Sequence, residues 1–213
     1  MRPTGLPRWV GLGSENAAHR IAVEWDGPGG VHSGVYIPRR DSNSWVNVAV
    51  GGRLYPGTHH RASFDVAESR SQLRVGFAAR DGSAAVKVAV RIEERLVGSE
   101  LFADTAAASA FFERGVVGFS ATASPDRFDG LALETNAWQV EPASVVEVHS
   151  SFFDDPSTFP AGSAEIDCAL VMRRVPVTWR ALDPLTPTSR APSPRVLVCA
   201  AHRRAPTRAT VTR

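Results

Sequence analysis

The chain of 213 residues has only two cysteines, Cys168 and Cys199, which is too few for a scaffold held together by disulfides. This scarcity is typical of a protein from a reducing compartment, so we expect a cytoplasmic location. No apolar run approaches the roughly 20 residues that a membrane span needs. The first residues, MRPTGLPRW, also lack the apolar segment of a signal peptide. We therefore expect neither secretion nor contact with a membrane.

Lysine is almost absent and the net charge is small. Lysine and arginine together number 24, Lys87 is the only lysine, and the formal net charge is +2. A protein dedicated to nucleic acid would carry a concentrated basic face. The charge balance therefore argues against a nucleic-acid partner.

The common sequence motifs for nucleotide, metal and nucleophile sites are missing. The chain has no G-x-x-x-x-G-K-[ST], no G-x-G-x-x-G before a helix, no H-E-x-x-H and no G-x-S-x-G. His59 and His60 are adjacent, and on a strand they would point to opposite faces, so they do not form a metal pair. Cys168 lies in an apolar stretch typical of a core thiol. We expect no metal and no cofactor.

Short segments of alternating apolar and polar residues are abundant and predict a mainly β fold. The predicted strands are residues 18–25, 31–38, 60–67, 72–79, 84–92, 131–133, 137–140, 145–153 and 163–172. Residues 44–50 fit either a strand or a short helix. Residues 104–114 are the one clear helix, because Asp104 is a suitable N-cap and alanines follow it.

The C-terminal part differs in composition, and we expect two regions. Residues 1–180 form the β domain. Residues 183–213 contain a cluster of prolines followed by an arginine-, alanine- and threonine-rich end. Such a segment buries too little apolar surface to offset its ordering entropy, so we predict a disordered tail.

Candidate site residues are concentrated in SENAAHRIAVEWD, from Ser14 to Asp26. With a period of two, His19 falls on one strand face, while Arg20 and Glu24 fall on the other. We predict that Arg20 and Glu24 face the interior and that Arg20 is an anion-binding arm, although a structural ion pair between them is an equal alternative. His19 is either a hydrogen-bonded core histidine or an acid–base group.

Two further residues complete the set of candidates. Arg39 ends the second predicted strand, where it is either a solvated turn residue or a substrate-binding group. Lys87 lies on the polar side of a strand, with Ala89 and Arg91. If that side faces solvent, Lys87 is a surface residue. If it lines a cavity, burial would favour the neutral amine and imine formation with a carbonyl substrate.

Several motifs occur in an order that resembles a known superfamily. They are SENAAHRIAVEWD, GVYIPRRD, GGRLYPGTHH, SAFFERGVVGFSAT, FDGLALET, SSFFDDPSTFPAGSAEIDCALVMR and VPVTW. Together they resemble an uncharacterised bacterial branch, a domain of unknown function, of the acetoacetate decarboxylase-like superfamily, over about Arg2 to Trp179. The resemblance implies an antiparallel closed or cone-like β-barrel with one or two short helices. It also implies decarboxylase-type chemistry with an imine-forming lysine, an arginine and a glutamate.

Two departures limit what the resemblance implies. The catalytic lysine of the decarboxylase follows a proline in a paired-lysine motif, whereas Lys87 follows Val86 in an ordinary strand. Relatives also have some tens of residues before the counterpart of RPTGLP, so we expect an N-terminal truncation. Missing strands would leave an open edge, which makes a homo-oligomer a further expectation.

Three functions follow from the sequence. The first is an enzyme acting on a small organic acid or carbonyl compound in an interior cavity, with Lys87, His19 and Glu24 as catalytic residues and Arg20 and Arg39 as substrate-binding residues. The second is a module that binds the same small-molecule ligand without chemistry. The third is a structural β domain that has lost its site.

Overall fold

A computed structural model describes residues 13–27, 29–51, 56–186, 198–204 and 209–212, the last two ranges by their backbone alone. The strands are β1 Glu15–Gly27, β2 Gly30–Ser42, β3 His59–Glu68, β4 Gln72–Ala79, β5 Ala85–Ile92, β6 Val117–Ala121, β7 Phe128–Glu134, β8 Glu141–Ser150, β9 Ala169–Val171, β10 Val177–Leu185, β11 Val198–Arg204 and β12 Ala209–Thr212. The helices are α1 Trp45–Val50 and α2 Thr105–Arg114. Strands make up 51% of the chain, which confirms the mainly β prediction.

The chain forms two compact units. Unit 1 comprises Met1–His60, Glu113–Ala137 and Val175–Arg213, and unit 2 comprises Arg61–Phe112 and Trp138–Arg174. Neither helix within the described ranges has the length and apolar composition needed to cross a bilayer.

The strands of unit 1 follow the order β11-β1-β2-β6-β7-β10-β12. The pairs β2–β6 and β10–β12 are parallel, and the others are antiparallel. The expected antiparallel arrangement is therefore found for most pairs of this unit but not for β2–β6 and β10–β12. The reason is that a long connection, containing most of unit 2, separates β2 from β6, and such crossovers permit parallel pairing. Among the described strands the order has two ends, so closure into a barrel stays a prediction.

Unit 2 contains the antiparallel order β3-β4-β5-β8-β9. Its alternation matches the sequence, because Val75, Phe77, Val86 and Val90 are buried while Lys87 and Arg91 are exposed. Val90 packs with Ala143 and Val171 in a core that also contains Leu73, Val88 and Ile92. The prediction of β5 from its alternating pattern is confirmed.

Local signals explain the first hairpin and both helices. Gly27 pairs with Gly30, so the β1–β2 turn is short, and Gly29 has a φ of 92° that favours glycine. The backbone N–H of Asn47 donates to the Oγ of Ser44, which caps α1. Asp104 likewise accepts from Ala107 at the start of α2. The alternative left open at residues 44–50 is therefore settled as a helix.

The structure differs from the predicted boundaries in the second half of the chain. Residues 137–140 are not a strand, β6 was not predicted, and β9 is much shorter than residues 163–172. β10 continues past the predicted domain end at residue 180 to Leu185. Strand backbone also occurs at 198–204 and 209–212, where disorder was predicted. Residues 187–197 and 205–208 of the predicted tail lie outside the described residues.

Candidate functional site

Strands β1 and β2 of unit 1 form an antiparallel pair, which we call the ribbon. Its two faces carry different polar side chains. His19 pairs with Arg39, and the next pair is Ala18 with Arg40. Paired residues share a face of the ribbon and neighbouring residues alternate. His19 and Arg39 therefore lie on one face, and Arg40 lies on the other.

The first face carries a buried ion pair. Arg39 donates from Nε to Oδ2 of Asp41 at 2.8 Å and from Nη2 to Oδ1 at 2.7 Å, and Asp41 is fully buried. His19, on the same face, is only 2% exposed. Burial lowers the pKa of His19 to about 4, against the raising effect of Asp41 and together with a smaller lowering effect of Arg39. His19 is therefore neutral at pH 7, and the charge of Arg39 is matched by a carboxylate.

A β-bulge shifts the pairing of β1 with β2 at Arg20. The pairing passes from His19–Arg39 to Ile21–Tyr36, so Ile37 and Pro38 together oppose the single residue Arg20. Proline has no N–H to donate and is tolerated in a strand at such a position. On β1, Arg20 and Ala18 share a face, and Ala18 pairs with Arg40, so the two arginines lie on the same side of the ribbon.

Arg40 is the central residue of the second face. Its Nε donates to the Oγ of Ser120 at 3.0 Å. Its Nη2 is buried, and in the part of the chain that the structure describes it has neither a hydrogen-bond acceptor nor a carboxylate partner. Burial, followed by the charge of Arg20, lowers the pKa of Arg40 to about 9, which leaves the guanidinium charged at neutral pH.

The backbone at Gly57 approaches this face closely. Ser120 pairs with Asp129 across β6 and β7, and the N–H of Gly57 donates to Oδ2 of Asp129 at 3.4 Å. A Cβ on Gly57 would lie 2.5 Å from the Cβ of Ser120 and 3.3 Å from Nε of Arg40. With a φ of +82° as well, this position favours glycine for two independent reasons.

His59 completes the second face. Its Nδ1 lies 3.1 Å from the carbonyl oxygen of Gly57. Its pKa is lowered to about 4, first by burial and then by the charge of Arg40. We refer to Arg20, Arg40, Gly57, His59, Ser120 and Asp129 as the arginine cluster.

A separate polar network fixes the end of the ribbon. The side-chain amide of Asn47 on α1 donates to Oδ1 of Asn16 at 3.0 Å and to Oγ of Ser42 at 3.2 Å. Ser42 donates in turn to Asn16 at 2.8 Å. Asn47 and Ser42 are buried, so these bonds hold α1 against β1 and β2 and have a structural role.

The structure brings together only part of the predicted site. Glu24 is exposed rather than interior, and among the described residues no ion pair links it to Arg20. It lies close to the end of the β1–β2 hairpin, where the alternation on which the prediction rested does not ensure burial. Arg20 is half-buried and belongs to the arginine cluster, whereas Arg39 is bound to Asp41 on the other face.

Lys87 belongs to unit 2 and has a solvent-exposed side chain. Its side chain is 56% exposed, and its Nζ lies 2.7 Å from Oε1 of Glu147. Of the two readings that the sequence left open, the structure selects the surface residue. The water-excluded surroundings that an imine-forming lysine requires are not present at this position.

Sequence reasoning missed Arg40, Ser120 and Asp129 as site residues, and it considered His59 only as a metal ligand. Two signals were present: Pro38 inside a strand pattern, which is typical of a bulge, and Gly57 two residues before His59. Neither signal shows which of the two adjacent arginines lacks a carboxylate partner.

Other features of the described residues do not form a competing site. No three His, Cys, Asp or Glu side chains in these ranges converge as metal ligands would. Unit 2 has an open cleft of about 380 Å³, lined by residues that include Ala67, Arg74, Ala89 and Arg91, and none of the predicted site residues borders it.

Comparison with known proteins provides no independent assignment. No family model, no curated protein and no solved structure matches the chain.

Replacing Gly57 should disrupt the arginine cluster. Gly57→Ala places a Cβ against Ser120 and forces a non-glycine residue into a positive φ, so we expect a loss of unfolding free energy above about 2 kcal/mol. Urea unfolding of the wild type and the variant measures this loss. Gly82→Ala is the matched control, because Gly82 has a φ of +72° and open space around its Cβ position. Equal losses in the two variants would refute the close approach to Ser120.

The stability of the protein should fall as the pH is lowered from 6.5 to 4. In this window an unfolded chain binds a proton at residue 19 that the folded protein, with its lowered pKa, does not bind, so unfolding becomes more favourable. The full effect for His19 is roughly 3 kcal/mol. His59 adds a contribution of the same sign.

Denaturant unfolding of the wild type and His19→Asn at several pH values measures this effect. The variant should show a shallower pH dependence, with the part due to His59 retained. A His19→Asn slope equal to that of the wild type would count against a buried neutral His19.

Proposed function

We propose that the protein binds a small organic acid through the arginine cluster, with the guanidinium of Arg40 as the principal contact to the carboxylate. The observation that carries the proposal is the buried Nη2 of Arg40, which has no acceptor among the described residues. A charged group buried without a partner is costly, and the cost is removed when an anion occupies the site. An arginine fork also matches the geometry of a carboxylate.

The neighbouring charges support an anion rather than a cation as the ligand. Arg20 is close enough to lower the pKa of Arg40, so positive charge accumulates on this face. Asp129, the carboxylate beside Ser120, already accepts from the N–H of Gly57 and has Nε of Arg127 at 3.5 Å from Oδ1. Among the described residues, no carboxylate is thus paired with Arg40. Arg20 is the second arm of the proposed site.

The resemblance to acetoacetate decarboxylase-like proteins supports the same ligand class. It rests on the ordered sequence motifs and agrees with the β-rich fold. It adds organic acids and carbonyl compounds as candidate ligands, and it adds to the proposal a closed or cone-like barrel.

Non-covalent binding is favoured over decarboxylase-type chemistry. The only lysine is exposed and paired with Glu147, while Glu24 is exposed. His19 lies on the face of the ribbon opposite Arg40, beside the Arg39–Asp41 ion pair. None of the three predicted catalytic groups is placed with the arginine that carries the proposal. The second candidate function is an enzyme that uses other groups on the same bound acid.

Two substitutions of Arg40 should separate a ligand-binding role from a structural one. Arg40→Lys keeps the charge but not the fork, so we expect affinity for small carboxylates such as propanoate to fall roughly 10- to 100-fold. Arg40→Met should abolish binding and also raise the stability of the ligand-free protein, because it removes a buried charge without a partner. Calorimetric titration and thermal unfolding measure the two effects.

Arg74→Lys, at an exposed position in unit 2, is the control for charge-conserving substitution. It should change neither affinity nor stability. If Arg40→Met were strongly destabilised, or if Arg40→Lys bound propanoate as the wild type does, Arg40 would be a structural residue and the proposal would be wrong.

Lys87 should not form an imine. Borohydride reduction in the presence of small β-keto acids, followed by intact mass spectrometry, is expected to give no adduct on Lys87, because its ammonium is exposed and ion-paired. Lys87→Arg controls for adducts on the N-terminal amine. An adduct present in the wild type and absent in this variant would restore the decarboxylase-type reading.

A further inference from the structure

The hydrogen bond between His59 and Gly57 fixes the tautomer of the imidazole. Nδ1 of His59 lies 3.1 Å from the carbonyl oxygen of Gly57. A carbonyl oxygen can only accept, so Nδ1 carries the proton and Nε2 carries the lone pair. Within the described ranges no residue donates a hydrogen bond to Nε2.

Two backbone segments hold the ring in this position. A Cβ on Gly51 would lie 2.7 Å from Nδ1 of His59, so the ring packs directly on that backbone. Gly51 is itself fixed, because its N–H donates to the carbonyl oxygen of Asn47 at 2.9 Å at the end of α1. Gly57, whose carbonyl oxygen also approaches Nδ1, bonds to Asp129 and packs on Ser120. The imidazole is therefore oriented by the fold before any ligand arrives.

The ring remains a neutral acceptor over the physiological range. Burial and then Arg40 lower the pKa of His59 to about 4, the bond to Gly57 opposes them, and His60 adds a small lowering effect. The other charged groups of the cluster are Arg20 on β1 and Asp129 on β7. The cluster thus places the neutral acceptor Nε2 of His59 near the cationic donor Arg40.

We propose that His59 determines the specificity of this site, with Nε2 accepting a hydrogen bond from a hydroxyl of the bound acid. The ligand class is then a hydroxy acid, whose carboxylate meets Arg40 and whose hydroxyl meets His59. This inference rests on the function proposed for Arg40. An oxo acid has only hydrogen-bond acceptors at this position. Its carbonyl oxygen would face the lone pair of Nε2 and be repelled by it. An unsubstituted acid leaves that acceptor unpaired, which a site built for a donor penalises.

Matched acids test the inference by calorimetric titration at pH 7. The probes are lactate, propanoate and pyruvate, and 3-hydroxybutanoate, butanoate and acetoacetate, so that each hydroxy acid has an unsubstituted and an oxo counterpart. In at least one series the wild type should bind the hydroxy acid about tenfold more tightly than both counterparts. The preference should stay constant from pH 5.5 to pH 8, because the ring does not gain a proton in that range.

The variant His59→Asn separates the acceptor from the structural bond. An asparagine amide can still donate to the carbonyl oxygen of Gly57 but places no acceptor where Nε2 was. It should bind the unsubstituted acid within about threefold of the wild type and should lose the hydroxy-acid preference. His60→Asn is the control, since neighbouring strand residues face opposite sides, and it should keep the preference.

The outcomes separate the two proposals. Equal binding of hydroxy and unsubstituted acids by the wild type overturns the role of His59 and leaves the Arg40 site intact. A preference that persists in His59→Asn, or one that falls as the pH drops through 6.5, also overturns it. If none of the six acids binds, or if Arg40→Lys binds them normally, the organic-acid site is wrong and the inference about His59 fails with it.

Discussion

The arginine cluster depends on one physical constraint, which is that Nη2 of Arg40 is buried while no carboxylate in the described part of the chain balances its charge. An effective penalty of several kcal/mol is usual for such a charge. The fold nevertheless maintains it with one hydroxyl acceptor, Ser120, and with the backbone of Gly57 packed against both side chains. Replacing Arg40 by an uncharged residue is expected to stabilise the fold. The presence of the charge therefore points to a use other than folding.

Arg39 and Arg40 show how one strand assigns different roles to identical neighbours. Alternation places Arg39 beside Asp41, where two short hydrogen bonds match its charge, and turns Arg40 to the opposite face toward Ser120. The first arginine stabilises the ribbon, and burial keeps the nearby His19 neutral. The second, Arg40, has a buried N–H donor group, Nη2, with no acceptor among the described residues. Because the β1–β2 ladder holds both residues in register, the structural ion pair on one face fixes the position of the binding group on the other.

Alternation and capping were enough to predict most strands, the α2 helix and the division of β5 into a buried and an exposed face. They could not identify the site, because Arg39 and Arg40 look equivalent in sequence and the bulge at Pro38 sets which pairs form around them. The short strand β6 is stabilised in part by β2, which is distant in sequence, and this information is not local. The interior position expected for Glu24 failed because Glu24 lies close to the end of the hairpin, where alternation does not ensure burial.

Alternation does not show which face of a strand is buried, and this question also separates a catalytic role from a binding role. The polar side of β5 could have lined a cavity, where Lys87 would lose its hydration, or faced solvent, and only the exposed side chain paired with Glu147 distinguishes these cases. With that lysine on the surface, the candidate site retains cationic donors, a hydroxyl and one imidazole acceptor held by a backbone carbonyl. Such groups can hydrogen-bond a carboxylate and a hydroxyl, and none of them is an activated nucleophile. The proposed reversible binding of a small hydroxy acid would account for both the buried Nη2 of Arg40 and the fixed orientation of His59.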